Sequence, residues 1–132
     1  MDESGEIWNS AHSLAKVGAA LANKGKFGNV TLLSSSGWKG LHSEATLGRM
    51  LGYENYFTQG GVASWIGEDV RAGFYGWMGY GGSCFQWHPE RKISFAYVPC
   101  LLIPSLSSRD ENNRARALQV ELMKCVRNMD NA

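Results

Sequence analysis

Ser13 and Lys16 stand one helical turn apart, the spacing at which a lysine can ease deprotonation of a serine hydroxyl. Ser13-Leu14-Ala15-Lys16 is a short string that arises often by chance, and a motif needs its structural context. Lys16 also falls beside the apolar stripe of its helix, where a solvent-facing residue belongs, so the surface reading outweighs the catalytic one. His12, His42 and His88 lack helical or hairpin metal spacing and read as surface or turn residues, with His88 capping a turn or solvated. Glu44, Glu54, Glu68 and Asp69 form no acid/base pair by spacing. A Ser/His/Asp triad assembled from distant positions stays open, with nothing positive in its favour. The three cysteines, Cys84, Cys100 and Cys125, are odd in number and lack paired or metal-binding spacing, which favours reduced, buried or half-buried thiols. No site for a metal or other cofactor is expected.

The better candidate is the stretch from Gly73 to Pro99. Gly73, Gly76, Gly79, Gly81 and Gly82 interrupt aromatic and β-branched residues. Glycine weakens a strand unless a bulge, a ligand or a second backbone needs the missing side chain. The pattern predicts two or three adjacent strands, with His88-Pro89-Glu90-Arg91-Lys92 as a polar turn and Ile93 to Val98 returning. Trp77-Met78-Gly79-Tyr80-Gly81 would form one wall of a cleft; the alternative is a strand that is merely packed. The glycine-rich run lacks the lysine and serine of a phosphate loop.

Helices must hold this ribbon. Residues 1–8 look loose, with Ile7 and Trp8 as the first apolar anchors. Asn9 or Ser10 can cap a helix on which Leu14, Val17, Gly18 and Leu21 share a face, Gly18 packing closely against a neighbour. Gly25 suits the left-handed position after the last turn. Ser34-Ser35-Ser36 offers a cap for a short helix through Trp38 and Leu41. Residues 43–72 are hard to read, with Tyr56–Gly61 as a strand entering a glycine turn and Gly67-Glu68-Asp69 as another turn. After Pro99 the chain is irregular through Pro104. Leu118, Leu122, Cys125, Val126 and Met129 then predict a C-terminal amphipathic helix from about Asn112 to Met129, with Arg114, Arg116, Glu121, Lys124 and Arg127 outward.

The 132 residues are enough for one domain with one core, and a net charge of +1 gives no nucleic-acid footprint. No apolar run approaches the ~20 residues of a membrane span. The acidic start, Met1-Asp2-Glu3-Ser4-Gly5-Glu6, is unlike a signal peptide. The compartment is not legible.

The glycine-rich stretch resembles the strand pair that closes the active site in serine β-lactamase-related proteins: class C β-lactamases, penicillin-binding proteins and their esterase relatives. Trp77-Met78-Gly79 stands where that family has Lys-Thr-Gly, or a His-x-Gly or Trp-x-Gly variant. Gly82-Ser83-Cys84-Phe85-Gln86-Trp87-His88-Pro89-Glu90 is similar to the family's Gly-x-x-Phe-x-x-Asp-Pro-Glu turn, with His88 in place of Asp. Phe95-Ala96-Tyr97-Val98 resembles the strand after it, and residues 9–33 the helix that follows the second catalytic motif. The resemblance implies an α+β fold: an antiparallel sheet of about three strands with an N-terminal and a C-terminal helix packed on it, a partial β-lactamase/transpeptidase-like fold over residues 1–132.

It further implies a C-terminal portion of a serine hydrolase acting on acyl esters or amides. The backbone N–H of Tyr80 would be the oxyanion donor, worth roughly 3 kcal/mol of the barrier. Trp77, Met78, Gly79, Tyr80 and Gly81 would line the substrate site. The nucleophile is not supplied: Ser13-x-x-Lys16 and Tyr53-Glu54-Asn55 match family strings out of family order. The expected partners are a small acyl, ester or peptide substrate and the missing N-terminal portion, without which a sheet edge and helix faces stay bare and the chain alone is inactive and marginally stable. Tryptophan at position 77 carries no charge, which favours substrates without an obligatory anion. The alternatives are a non-catalytic ligand- or protein-binding domain of the same lineage and an unrelated α+β binding module.

Overall fold

The computed structural model describes residues 10–50, 53–67, 70–79, 82–100 and 113–130. The expectations for residues 1–8, the Glu68-Asp69 turn and the stretch 101–112 lie outside these.

Helix α1 spans Ala11–Ala22. Ser10, the predicted cap, is extended, and its hydroxyl accepts from the Ser13 N–H at 3.2 Å. A two-stranded hairpin follows, β1 (Lys26–Phe27) with β2 (Val30–Thr31). Helix α2 (Ser35–Leu41) begins at Ser34, whose hydroxyl accepts from the Gly37 N–H. Six strands then form one antiparallel sheet in chain order: β3 (Thr46–Met50), β4 (Tyr53–Phe57), β5 (Ala63–Ser64), β6 (Tyr75–Met78), β7 (Cys84–His88) and β8 (Ile93–Tyr97). Helix α3 (Asn113–Asp130) ends the described chain.

The sheet is therefore larger than the expected three strands. The added strands, β3 to β5, come from the region that was hard to read, and the reason is physical. Leu47 and Tyr56 lie directly opposite each other on the edge hairpin and are both exposed, so no buried face imposes alternation. Strand β5 is two residues long, too short for any period.

Alternation along β7 sorts the two faces. Phe85 and Trp87 face α1 and α2: a Cβ on Gly18 would lie 2.8 Å from Ser94 Cβ and 3.1 Å from Phe85, the close helix–sheet approach expected of Gly18. Trp87 joins Leu21, Ala22 and Val62 in the core. Gln86 faces the other way, where its amide oxygen accepts from Gln119 of α3. The N- and C-terminal helices thus pack on opposite faces.

On α3 the expected stripe is rotated. Ala115, Gln119 and Met123 are buried, whereas Leu118 (51% exposed), Cys125 and Met129 (77%) face outward. Gln119 goes inside because its amide is paired on both sides: it donates to Gln86 and accepts from Arg71 Nε at 3.0 Å. Apolar spacing could not show that a glutamine would be satisfied there. Of the thiols, Cys84 alone matches the expectation of burial; Cys100 and Cys125 are exposed.

Candidate active-site wall and an aromatic box

Strand β6 runs through the sheet between β5 and β7. Gly76 lies there at φ +144°, and a side chain would drive into the Phe85 carbonyl and the Gln86 backbone. The close approach inferred from glycine density is, at this position, to a neighbouring strand rather than to a ligand. Beyond it, Trp77 sits opposite Phe85 and Met78 opposite Cys84. Both Trp77 and Met78 are 38% exposed. The Trp77 ring lies 6.1 Å from that of Phe57, tilted by 35°. Gly79 then turns back, its N–H donating to the Ser83 carbonyl at 2.8 Å. The structure thus brings Trp77, Met78 and Gly79 together at one accessible end of a central strand. Tyr80, with its oxyanion-donor amide, and Gly81 lie outside the described residues.

Ser13 and Lys16 are both exposed on α1. Ser13 Oγ accepts from Ser10 Oγ at 3.0 Å, so its described partner is the helix cap. Tyr53-Glu54-Asn55 lies in β4, paired with β3.

Two hollows open at the opposite, Tyr75 end of β6. They measure about 330 and 370 Å³ and share His42, Gly73 and Tyr75. His42 is not the surface residue expected from sequence. Its ring stacks on Trp38 at 4.2 Å, meets Tyr75 edge-on at 4.8 Å and lies 6.0 Å from Trp87. Nδ1 is 2.8 Å from the Trp38 carbonyl, and Nε2 accepts from Trp87 Nε1 at 2.7 Å. The proton therefore sits on Nδ1, and burial lowers the pKa below its ordinary value despite the carbonyl bond. Helix α2 is tied in by Trp38 Nε1, which donates to the Leu21 carbonyl, and by Thr58, whose hydroxyl donates to the Leu41 carbonyl. The four-residue step from Trp38 to His42 on a helix was the available signal for this box.

His88 caps its turn as expected, Nδ1 accepting from the Arg91 N–H at 3.3 Å. It is 5% exposed rather than solvated, with Phe74 edge-on at 5.1 Å and no room at Gly73 for a side chain. Burial is the largest influence lowering its pKa, Arg91 adds to it, and Glu90 opposes. Arg91 also pairs with Asp130 at the end of α3. Beneath α3, Gln86 Nε2 is buried with no partner among the described residues. No group of three or more metal-ligating side chains occurs among the described residues, and no helix there is long and apolar enough to cross a membrane.

These features define an α+β sheet domain with an exposed tryptophan on a central strand, and two solved structures superpose on its fold. A penicillin-binding protein homolog from Caulobacter crescentus superposes with a TM-score of 0.63 at 25% identity, over 86% of this chain and 31% of that one. A family VIII carboxylesterase gives 0.61 at 18% identity, over 81% and 28%. The chain has the fold of a part of the serine β-lactamase-related proteins and spans about a third of the length of these relatives. No family model and no curated protein matches it.

Proposed function

We propose that this chain is the C-terminal portion of a serine hydrolase domain of the β-lactamase-related kind, and that the Trp77 end of β6 is one wall of its acyl cleft. In the reaction a serine hydroxyl from polypeptide outside this chain attacks an ester or amide carbonyl. The leaving group takes a proton as it departs, and water then cleaves the acyl-serine. The chain would contribute the Tyr80 amide to the developing oxyanion and the apolar end of β6, with Trp77 and Met78 on opposite faces, to the substrate wall. The observation that carries this reading is the exposure of Trp77 and Met78 on an inner strand, at the position where the resemblance puts the cleft motif.

The test compares this chain with the polypeptide encoded by extending the reading frame upstream, using p-nitrophenyl esters and nitrocefin. The chain alone should give no turnover. The extended protein should carry a Ser-x-x-Lys and a Tyr-x-Asn, and should hydrolyse the ester. Turnover by the chain alone that vanishes in Ser13→Ala overturns the reading, as does an extended frame without those motifs. The second reading, a non-catalytic binding domain of the same lineage, is favoured by one observation: both hollows lie away from Trp77, around Tyr75.

A further inference from the structure

The hollow lined by Glu44, Trp65 and Tyr75 carries an inference that does not depend on hydrolysis. Its volume of about 370 Å³ falls within the ~300–1,000 Å³ of small-molecule sites. Trp65, Tyr75 and His42 line it, and Ala45, Ile66 and Ala72 add apolar wall. Tyr75 is held in place by the edge contact with His42.

Among the described residues, charge on this wall has one sign. Glu44 lines the hollow, is exposed, and has no ion pair or hydrogen bond among the described residues. No lysine or arginine lines it among those residues. Arg71, the neighbour of Ala72, directs its Nε to Gln119 on the α3 side of the sheet. Lys39 borders the adjoining hollow, where Glu90 also stands. His42 adds no positive charge, because its Nε2 is an acceptor. Ring faces attract a cation through their negative quadrupole. A carboxylate ligand would be repelled by Glu44, and a wholly apolar one would strip water from Glu44 without compensation.

We propose that this hollow binds a small organic ammonium ion, with its alkyl groups against Trp65 and Tyr75 and its charge shared between their rings and the Glu44 carboxylate.

Choline is the probe, and its neutral carbon analogue, dimethylbutanol, is the control, each titrated into the labelled protein while backbone amide resonances are followed. Choline should shift the amides of residues 64–67 and 72–75 in a saturable way, and the alcohol should not. Glu44→Gln, an exposed change that leaves the fold intact, should weaken choline roughly three- to fivefold, the scale of one exposed charge pair. Trp65→Leu keeps apolar bulk but removes the ring, and should weaken it further. Equal shifts with the alcohol, no saturable shift with choline, or an unchanged affinity in Glu44→Gln overturns the proposal. Neither probe is an ester, so the outcome is separate from that of the hydrolysis assay.

Discussion

Trp87 donates its indole N–H to Nε2 of His42 across 2.7 Å, joining the end of α2 to the central strand β7. Trp87 is 2% exposed, so the indole has no water to turn to if that acceptor is lost. In His42→Phe the stacking on Trp38 can persist while the N–H is orphaned, which costs about 1–3 kcal/mol. A second change, Trp87→Phe, removes the orphan along with the donor. The double variant should therefore be less destabilised than the sum of the singles. Urea denaturation of the four proteins checks this, and simple additivity would mean that the bond contributes nothing.

Acid should loosen the same region. His42 and His88 both have pKa values lowered from 6.5 by burial, so the unfolded chain binds protons that the folded chain refuses. Stability is then level above the unfolded value and falls as the pH drops below 6.5, by up to about 1.4 kcal/mol per pH unit for each histidine until its folded pKa is passed. Protonation at His42 Nε2 would also cancel the Trp87 bond, and at His88 Nδ1 the bond from Arg91. Thermal melts at pH 7.5 and 5.5 should show a lower midpoint in acid. An equal or higher midpoint would contradict neutral, buried rings.

The sequence showed the helices well because their ends carry local chemistry: Ser10 and Ser34 cap α1 and α2 with their own hydroxyls, and Gly25 takes the left-handed position at φ +80°. The ribbon from Tyr75 to Tyr97 was legible from its aromatic and glycine pattern. Strands β3 and β5 were not, and β4 only at Tyr56 and Phe57, since they depend on pairing with their neighbours rather than on a period of their own. Trp77–Gly79 was read as a cleft wall from a resemblance; the structure has Trp77 and Met78 exposed at the end of β6. His42 escaped because a half-buried histidine with both nitrogens bonded looks, in one dimension, like any surface histidine. Gln119 escaped for a related reason: its partners, Arg71 and Gln86, are 48 and 33 positions away.

Gly18 and Gly40 make opposite predictions for the same substitution. A Cβ at Gly18 would lie 2.8 Å from Ser94 Cβ, and Ser94 is held by its hydroxyl bond to the Ala15 carbonyl. Overpacking of about 1–3 kcal/mol outweighs the gain of up to about 1 kcal/mol from replacing a helical glycine. Gly18→Ala should lower the melting temperature. At Gly40, in α2, nothing lies within 4 Å of the added atom, so Gly40→Ala should raise it by the propensity gain alone. Calorimetry on the two variants separates a true helix–sheet contact from a loose one: equal shifts would mean that α1 does not press on β8.

The two descriptions of α3 can be told apart by exchanging one polar and one apolar residue. If its inner stripe followed apolar spacing, Leu118 would anchor it and Gln119 would be dispensable. The structure has Gln119 fully buried between Arg71 and Gln86, and Leu118 half in water. Gln119→Leu leaves the Gln86 amide oxygen without its donor, beside an Nε2 that already lacks a partner, and takes one acceptor from Arg71. Each buried polar group orphaned in this way costs about 1–3 kcal/mol. Leu118→Gln changes an exposed position and should stay within about 0.5 kcal/mol of the parent. Guanidinium unfolding followed by far-ultraviolet circular dichroism measures both. If Leu118→Gln proves the more damaging, α3 rests on the sheet by its apolar stripe and the Arg71–Gln119–Gln86 chain does not hold it.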